Sequence, residues 1–298
     1  MSQAPEITRI GAWWLAARPR TLPVSAAPVV VGTAVAWAAG RARWGPALAA
    51  LLGALFLQLA SNFANDLFDF EKGADNEDRI GPPRASQLGL LSPAAMRGGI
   101  AVAVGAAVLC GLYLTAIAGW PIVAVGLISI VAALAYTGGP WPFGYKGLGD
   151  LAVFIFFGPV AVIGTDFVQG LVLTPEALWA SLPIGLLSTA ILVVNNVRDI
   201  DSDREAGKRT LAVRLGRRGG QIEYFLLLSV SFALLPVFWL SLGRSVFVLL
   251  PFVLIFRARS LVRIVSQEHS GVALNAALGS TAQLLIGFAL LLAVGWVI

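Results

Sequence analysis

The sequence predicts an all-α integral membrane protein, and three observations carry that prediction. Of its 298 residues, 58% are hydrophobic and 12% charged, where soluble domains carry about 25% charged residues. Mean hydropathy is +0.83, and apolar runs long enough to span a bilayer recur along the whole chain. The few charges are gathered rather than spread: six of the 16 acids fall between Asp66 and Asp78, and four between Asp199 and Glu205.

Taken in order, residues 1–20, with Trp13-Trp14 and Arg18-Pro-Arg20, read as an interfacial amphipathic segment. The apolar run after Arg20 is long enough to span, so no removable signal peptide is expected. Spans follow at 22–40, 46–66, 94–117, 120–137, 150–168, 178–197, 222–241, 245–263 and 272–297. Nine is the expected count and eight the alternative, because Arg257, Arg259 and Arg263 invade the eighth. No soluble domain interrupts them, so residues 1–298 read as one polytopic unit, with cytoplasmic loops near 67–93, 138–149 and 198–221. Of the 21 Lys and Arg residues, all but Arg41, Arg43 and Arg244 fall on one side if the N-terminus is cytoplasmic; the positive-inside bias therefore sets that orientation. The lone cysteine, Cys110, sits in an apolar run as a small buried hydrophobe. Arg257, Arg259 and Arg263 read as headgroup anchors, and Asp166 and Glu176, on the far face, as solvated.

Two polar stretches close apolar spans. The first is Asn62-Phe-Ala-Asn65-Asp66-Leu-Phe-Asp69-Phe-Glu71-Lys72-Gly73-Ala-Asp75; helical spacing puts Asn62, Asn65, Asp66 and Asp69 on one face. In the second, Asn195, Asp199 and Asp203 recur at i, i+4 and i+8. Carboxylates at membrane depth cost roughly 2.5–3.5 kcal/mol each on insertion scales. The two stretches end spans two and six, four crossings apart, so both emerge on the same cytoplasmic face. Asp150, which opens the fifth span, is on that face too. All three lysines of the chain, Lys72, Lys146 and Lys208, lie in or beside these loops.

Only oxygen donors are plentiful. One histidine and one cysteine exclude multi-His and thiolate metal centres, and no nucleic-acid module is present. Hard oxygen ligands select Mg²⁺, with Mn²⁺ as a substitute, and Mg²⁺ combines one or two carboxylates with waters and substrate phosphates. Two such clusters flanked by Lys72, Arg84, Lys146, Arg198 and Lys208 suit a bridging diphosphate. In a membrane the natural substrate of that kind is a polyprenyl diphosphate, its tail among the spans. A secondary transporter is the rival from another class, since intramembrane carboxylates also mark ion paths. A lipid phosphotransferase with a CDP-linked donor ranks lower, for want of its DG…AR pattern.

The motifs resemble those of the UbiA superfamily of intramembrane prenyltransferases, whose first motif, NDxxDxxxD, reads here Asn65-Asp66-x-x-Asp69-x-x-x-Gly73. Gly73 replaces the last Asp, and Asp75 follows two residues on. Within the superfamily the chain is most similar to the 1,4-dihydroxy-2-naphthoate polyprenyltransferase branch of menaquinone biosynthesis. Arg18-Pro-Arg20-Thr21, Asp78-Arg-Ile-Gly-Pro-Pro-Arg84-Ala-Ser-Gln87-Leu-Gly89, Tyr136-Thr-Gly-Gly139 and Asn195-Asn196-x-Arg198-Asp199-x-x-x-Asp203-Arg-x-x-Gly207-Lys208-x-Thr210 carry that likeness. The resemblance implies nine helices around a central cavity in a bacterial inner membrane. It also implies Mg²⁺ dependence with two ions, and prenyl transfer to 1,4-dihydroxy-2-naphthoate with loss of its carboxylate. Homogentisate, 4-hydroxybenzoate or a chlorophyllide remain alternative acceptors.

On that reading, Asn65 and Asp69, with Asp75 as a further partner, hold one metal; Asn195, Asp199 and Asp203 hold the other. Lys72, Lys146, Arg198 and Lys208 bind diphosphate. Asp66 is the acceptor-side base, and Asn62, Arg84, Gln87 and Tyr136 bind the aromatic ring or its carboxylate. Tail length, oligomeric state and closure of the 66–93 loop are not encoded in any periodicity.

Overall fold

The computed structural model describes residues 7–73 and 81–298, and among these every regular element is helical. Helix α1 (Arg9–Ala17) starts where the Thr8 hydroxyl accepts the Gly11 amide at 3.1 Å, and stops at Arg18, whose φ of 49° lies in the left-handed region. After a 52° bend, α2 (Leu22–Ala38) follows. Next come α3 (Trp44–Glu71), α4 (Pro93–Ala118) and α5 (Pro121–Ala135). A 3₁₀ turn (Phe143–Lys146) precedes α6 (Gly149–Ile155), which passes through a π turn (Phe156–Val160) into α7 (Ala161–Gly170). The chain continues through α8 (Pro175–Arg198), the short α9 (Ile200–Glu205) and α10 (Leu211–Leu240). It ends with a 3₁₀ segment (Val246–Leu254), α11 (Ile255–Gln267) and α12 (Gly271–Val297).

Each of the nine expected apolar segments falls on helical structure, but six described helices are long and apolar enough to cross a membrane, or seven when α1 and α2 count as one bent span. Helix α5 has only 15 residues. The eighth segment is divided: Val246–Leu254 is 3₁₀ with Pro251 inside it, and α11 begins just before Arg257. Proline removes a helical donor, and 3₁₀ geometry relieves the clash over a short stretch.

Helix α8 is the axis of the fold: 72% of its apolar window lies inside the protein, against 17% for α4. Its Ile184, Leu187, Ile191 and Val194 pack with Tyr224, Leu228 and Phe232 of α10 and with Leu285 and Phe288 of α12 in one core. The π turn lies against α8 at Gly158 and Gly185, where a Cβ on Gly158 would stand 2.9 Å from the Gly185 Cα. Only hydrogen fits between those two backbones. Cys110 is half-buried on α4 rather than enclosed.

The far end is not solvated at Asp166, contrary to the sequence expectation. Asp166 is fully buried, takes the Thr174 hydroxyl at 2.6 Å and pairs with Arg41 at 3.4 Å. Gln169, one turn on, accepts the Arg43 amide at 3.1 Å. These donors replace water and latch the α2–α3 connection to α7. Glu176 is half-exposed and pairs with Arg244 at 3.5 Å. Arg257, one of the expected anchors, bonds Gln283 at the surface.

Candidate active site

The first polar stretch is helical to Glu71, so Asn62, Asn65, Asp66 and Asp69 do lie on the inner side of α3, but they divide into two stripes. Asn62 and Asp66 look one way. Asn62 donates to the Ala17 carbonyl at 2.8 Å and the Thr21 hydroxyl at 3.1 Å, fastening the elbow between α1 and α2. Asp66, 1% exposed, accepts the amides of Ala85 and Ser86, each at 3.1 Å. Both its oxygens are thereby committed to the 84–89 turn.

Asn65, Asp69 and Lys72, at i, i+4 and i+7, look the other way. Asn65 accepts the Thr137 hydroxyl at 2.8 Å, and Lys72 donates to the Thr137 carbonyl. Asp69 is buried between Arg84 at 2.8 Å and the Tyr145 hydroxyl at 2.5 Å. The helix ends at Gly73, whose φ of 68° is the left-handed conformation glycine adopts without strain. A helix-stopping glycine therefore stands where the related motif carries its third carboxylate. Asp75 lies outside the described residues.

The second stretch closes α8 and opens α9. Asp199 is at once the C-cap of α8 and the N-cap of α9, so the expected continuous stripe turns at its middle residue. The backbone link survives, with the Asp203 amide on the Asp199 carbonyl at 2.8 Å. Buried Arg198 grips both Asp199 oxygens, at 2.7 and 2.5 Å, and reaches Asn195 Oδ1 at 2.8 Å and Asn275 Oδ1 at 2.5 Å. A planar fork of this kind is a charge-assisted bidentate pair.

Lys208 joins the halves. Its ammonium stands 3.4 Å from Asp69 Oδ1 and 3.7 Å from Asp203 Oδ1. The Tyr145 ring lies 4.7 Å from it and 5.0 Å from the Lys72 ammonium, within the range of cation–π attraction. Beneath the phenol the loops are bound: the Arg209 amide donates to the Tyr145 carbonyl at 2.8 Å, and Arg214 to the Lys146 carbonyl at 2.7 Å. At Gly147, with φ 75°, a Cβ would meet the Arg209 carbonyl at 2.9 Å, so the loops approach as closely as glycine allows. Burial pushes the Asp203 carboxyl up to about 6; Lys208 pulls it down, and Asp199 and Asp69 add to the rise.

Of the remaining expected site residues, Tyr136 ends α5, its ring edge-on to Phe143 at 5.5 Å. Gln87 is half-buried in the turn that Asp66 holds. Lys146 is exposed and lines a cavity of about 520 Å³ with Tyr145, Arg209 and Arg214. Its neighbour Tyr145 bonds Asp69 and lies against the Lys208 ammonium that reaches Asp203. Tyr145, Thr137 and Asn275 are the site residues sequence reasoning missed. For Tyr145 there was a signal, an aromatic residue inside a Gly-Tyr-Lys-Gly turn; Asn275, on α12, offered none.

The donor set fits a hard divalent cation in its chemistry, because Asn65, Asp69, Asn195, Asp199 and Asp203 present only amide and carboxylate oxygens. Among the described residues no three His, Cys, Asp or Glu side chains gather as a metal cluster. Each half thus has the sparse carboxylate supply typical of Mg²⁺ sites completed by water and phosphate.

The sequence matches the UbiA prenyltransferase family over residues 25–274. The chain belongs to the UbiA prenyltransferase family. It is 41% identical over 268 residues to the 1,4-dihydroxy-2-naphthoate octaprenyltransferase of Escherichia coli (strain K12), covering 87% of each chain. To the enzyme of that name from Mycobacterium tuberculosis it is 42% identical, covering 84% of this chain and 86% of that one. To the Bacillus subtilis enzyme of that name it is 30% identical, covering 96% and 92%. Among solved structures, the fold is shared with an apo UbiA homolog from Aeropyrum pernix K1, with a TM-score of 0.66 at 16% identity over 93% of this chain and 97% of that one. It is shared equally with a UbiA homolog from Archaeoglobus fulgidus bound to DMAPP and Mg²⁺, with a TM-score of 0.63 at 16% identity over 95% and 99%.

Proposed function

We propose that this UbiA family member transfers a polyprenyl group from polyprenyl diphosphate to 1,4-dihydroxy-2-naphthoate with loss of the carboxylate, in menaquinone biosynthesis. The observation that carries the reaction class is the convergence of the two polar stretches on Lys208. Two oxygen-donor half-sites and four cations, Lys72, Arg84, Arg198 and Lys208, surround one locus. The naphthoate acceptor is supported by relatives of that name at 41% identity. We read the chain as nine spans in a bacterial inner membrane, with the N-terminus and the site on the cytoplasmic side, as its charge distribution favours.

Asn65 and Asp69, with Asp75, would hold one Mg²⁺, and Asn195, Asp199 and Asp203 a second. Mg²⁺ held by those residues would supply the positive charge that offsets charge developing on a leaving diphosphate. The chain's own groups do the rest. Lys208 and Lys72 attract the diphosphate, with Lys146 at the rim. Tyr145 orients Asp69 by its hydroxyl and spaces the two ammonium groups by its ring. Arg198 fixes Asn195 and Asp199 in one plane. Gln87 and Tyr136 form the acceptor side with Arg84, which also reaches Asp69, while Asn62 supports it by holding the elbow between α1 and α2. Asp66 acts there as a positioning residue, because its two backbone hydrogen bonds set the turn that delivers Arg84.

The test is purified protein with Mg²⁺, polyprenyl diphosphates of graded length and a panel of aromatic acids, read by product mass and released CO₂. Naphthoate is expected to be prenylated and decarboxylated, and Asp199→Ala to abolish turnover while the protein still inserts and folds. Product formed only with a benzoate-type acid overturns the acceptor assignment. Undiminished turnover in Asp199→Ala removes the metal assignment.

A further inference from the structure

Both Asp66 oxygens accept backbone amides, whereas Asp150, among the described residues, is a buried carboxyl with neither oxygen hydrogen-bonded. Asp150 is the second residue of α6 and only 7% exposed. Among the described residues neither of its oxygens has a hydrogen-bond partner of normal geometry; the only donor its charge feels is its own amide. A buried carboxyl without partners forfeits several kcal/mol of solvation, and such groups call for a functional explanation.

Its position supplies one. The Asp150 carbonyl accepts the Thr189 hydroxyl at 3.4 Å, so Asp150 sits at the level of Thr189 on α8, about 9 Å of helical rise below Asn195. Asn195 and Asp199, the groups proposed to serve the diphosphate, end α8 above it. The preceding residue, Gly149, backs onto Tyr136: a Cβ there would stand 2.8 Å from the phenol oxygen. Tyr136 feels the charges of Asp150, Asp203 and Asp69 together. The Tyr136 phenol therefore lies against the first turn of α6, beside Asp150. From α10, Glu223 is the other acid that feels Asp150.

We propose that Asp150 is the proton acceptor for the ring hydroxyl of the aromatic substrate; this rests on the prenyl-transfer reading above. The hydroxyl proton passes to an Asp150 oxygen and its electron pair enters the ring. The ring carbon's pair forms the bond to the prenyl carbon, whose bond to oxygen breaks with both electrons leaving on the diphosphate. When the carboxylate departs as CO₂, its bonding pair returns through the ring to the oxygen, which takes the proton back from Asp150. No proton is gained or lost over the cycle, so a single enclosed carboxyl without a path to water is sufficient.

The experiment compares Asp150→Asn and Asp150→Glu with the parent enzyme. In Asp150→Asn the turnover number for prenyl transfer is expected to fall about 100-fold or more, the scale of a lost general base. The KM for polyprenyl diphosphate and the thermal protection given by Mg²⁺ with inorganic diphosphate should be unchanged, and Asp150→Glu should recover part of the rate. Transfer within about threefold of the parent overturns the proposal, as does loss of diphosphate protection in parallel with transfer. So does failure of Asp150→Asn to fold, because a neutral isostere at a site without partners should be tolerated. A parent enzyme that transfers nothing refutes the functional reading instead, and is distinguished by that control.

Discussion

The Tyr145 hydroxyl bonds Asp69 Oδ1 at 2.5 Å while its ring lies 4.7 Å from the Lys208 ammonium. One phenol thus orients a carboxylate of the first half and seats the cation that reaches the second. Tyr145→Phe keeps the ring and loses the charge-assisted bond, which is worth about 1.5–3 kcal/mol. Its kcat/KM for polyprenyl diphosphate is expected to fall about 10- to 100-fold. Tyr145→Leu, which also removes the ring face, should fall further, and steady-state kinetics on the pair separate the two contributions.

Arg198→Lys should be costly despite preserving charge. The ammonium cannot reproduce the fork that spans Asp199 while also serving Asn195 and Asn275. Stability in detergent is expected to drop by about 2 kcal/mol or more, because buried acceptors lose their donors. The apparent affinity for Mg²⁺ should weaken with it. Thermal denaturation with and without Mg²⁺ measures both.

Asp203 gives the pH dependence. Its carboxyl is pushed up to about 6 from the ordinary 3.8, so the folded protein holds this proton more tightly than the unfolded chain. Its contribution to stability without metal is therefore full below about 3.8 and lost as pH rises through about 6. A divalent ion competes with that proton. The Mg²⁺ concentration for half-maximal activity should rise as pH falls below 6 and level off above it, which a Mg²⁺ titration at several pH values will show.

At the opposite end, Asp166→Ala removes the acceptor of Arg41 and Thr174. It should lower stability by about 1–3 kcal/mol, as expected when a buried hydrogen-bond acceptor is removed. The turnover number of the protein that remains folded should equal that of the parent. A selective loss of turnover would mean that the latch couples to the candidate active site.

What was legible in the sequence follows from which forces are local. Helical periodicity and hydropathy placed the apolar segments, and i, i+4 spacing set Asn65 over Asp69 and Asn195 over Asp199. Three things were not legible. The division of the first stretch into two stripes depends on where the 84–89 turn docks, and Asp66 looks no different from Asp69 until that turn arrives. The role of Tyr145 depends on two loops meeting across more than sixty residues of chain. Asp166 was misread because Arg41 and Thr174, its replacements for water, come from other elements. Chain length alone did not decide the fate of the eighth segment either, since proline and three arginines divide it.

The crossing of Gly158 over Gly185 has a consequence at a distance. Because two backbones meet there without intervening side chains, it acts as a fulcrum, and α6 is an arm whose outer end joins the 3₁₀ turn that carries Tyr145. A methyl added at Gly158 would press on the Gly185 Cα; the resulting tilt, small at the pivot, is magnified along the arm. Damage done between α8 and the π turn would then register as a misplaced phenol beside Asp69.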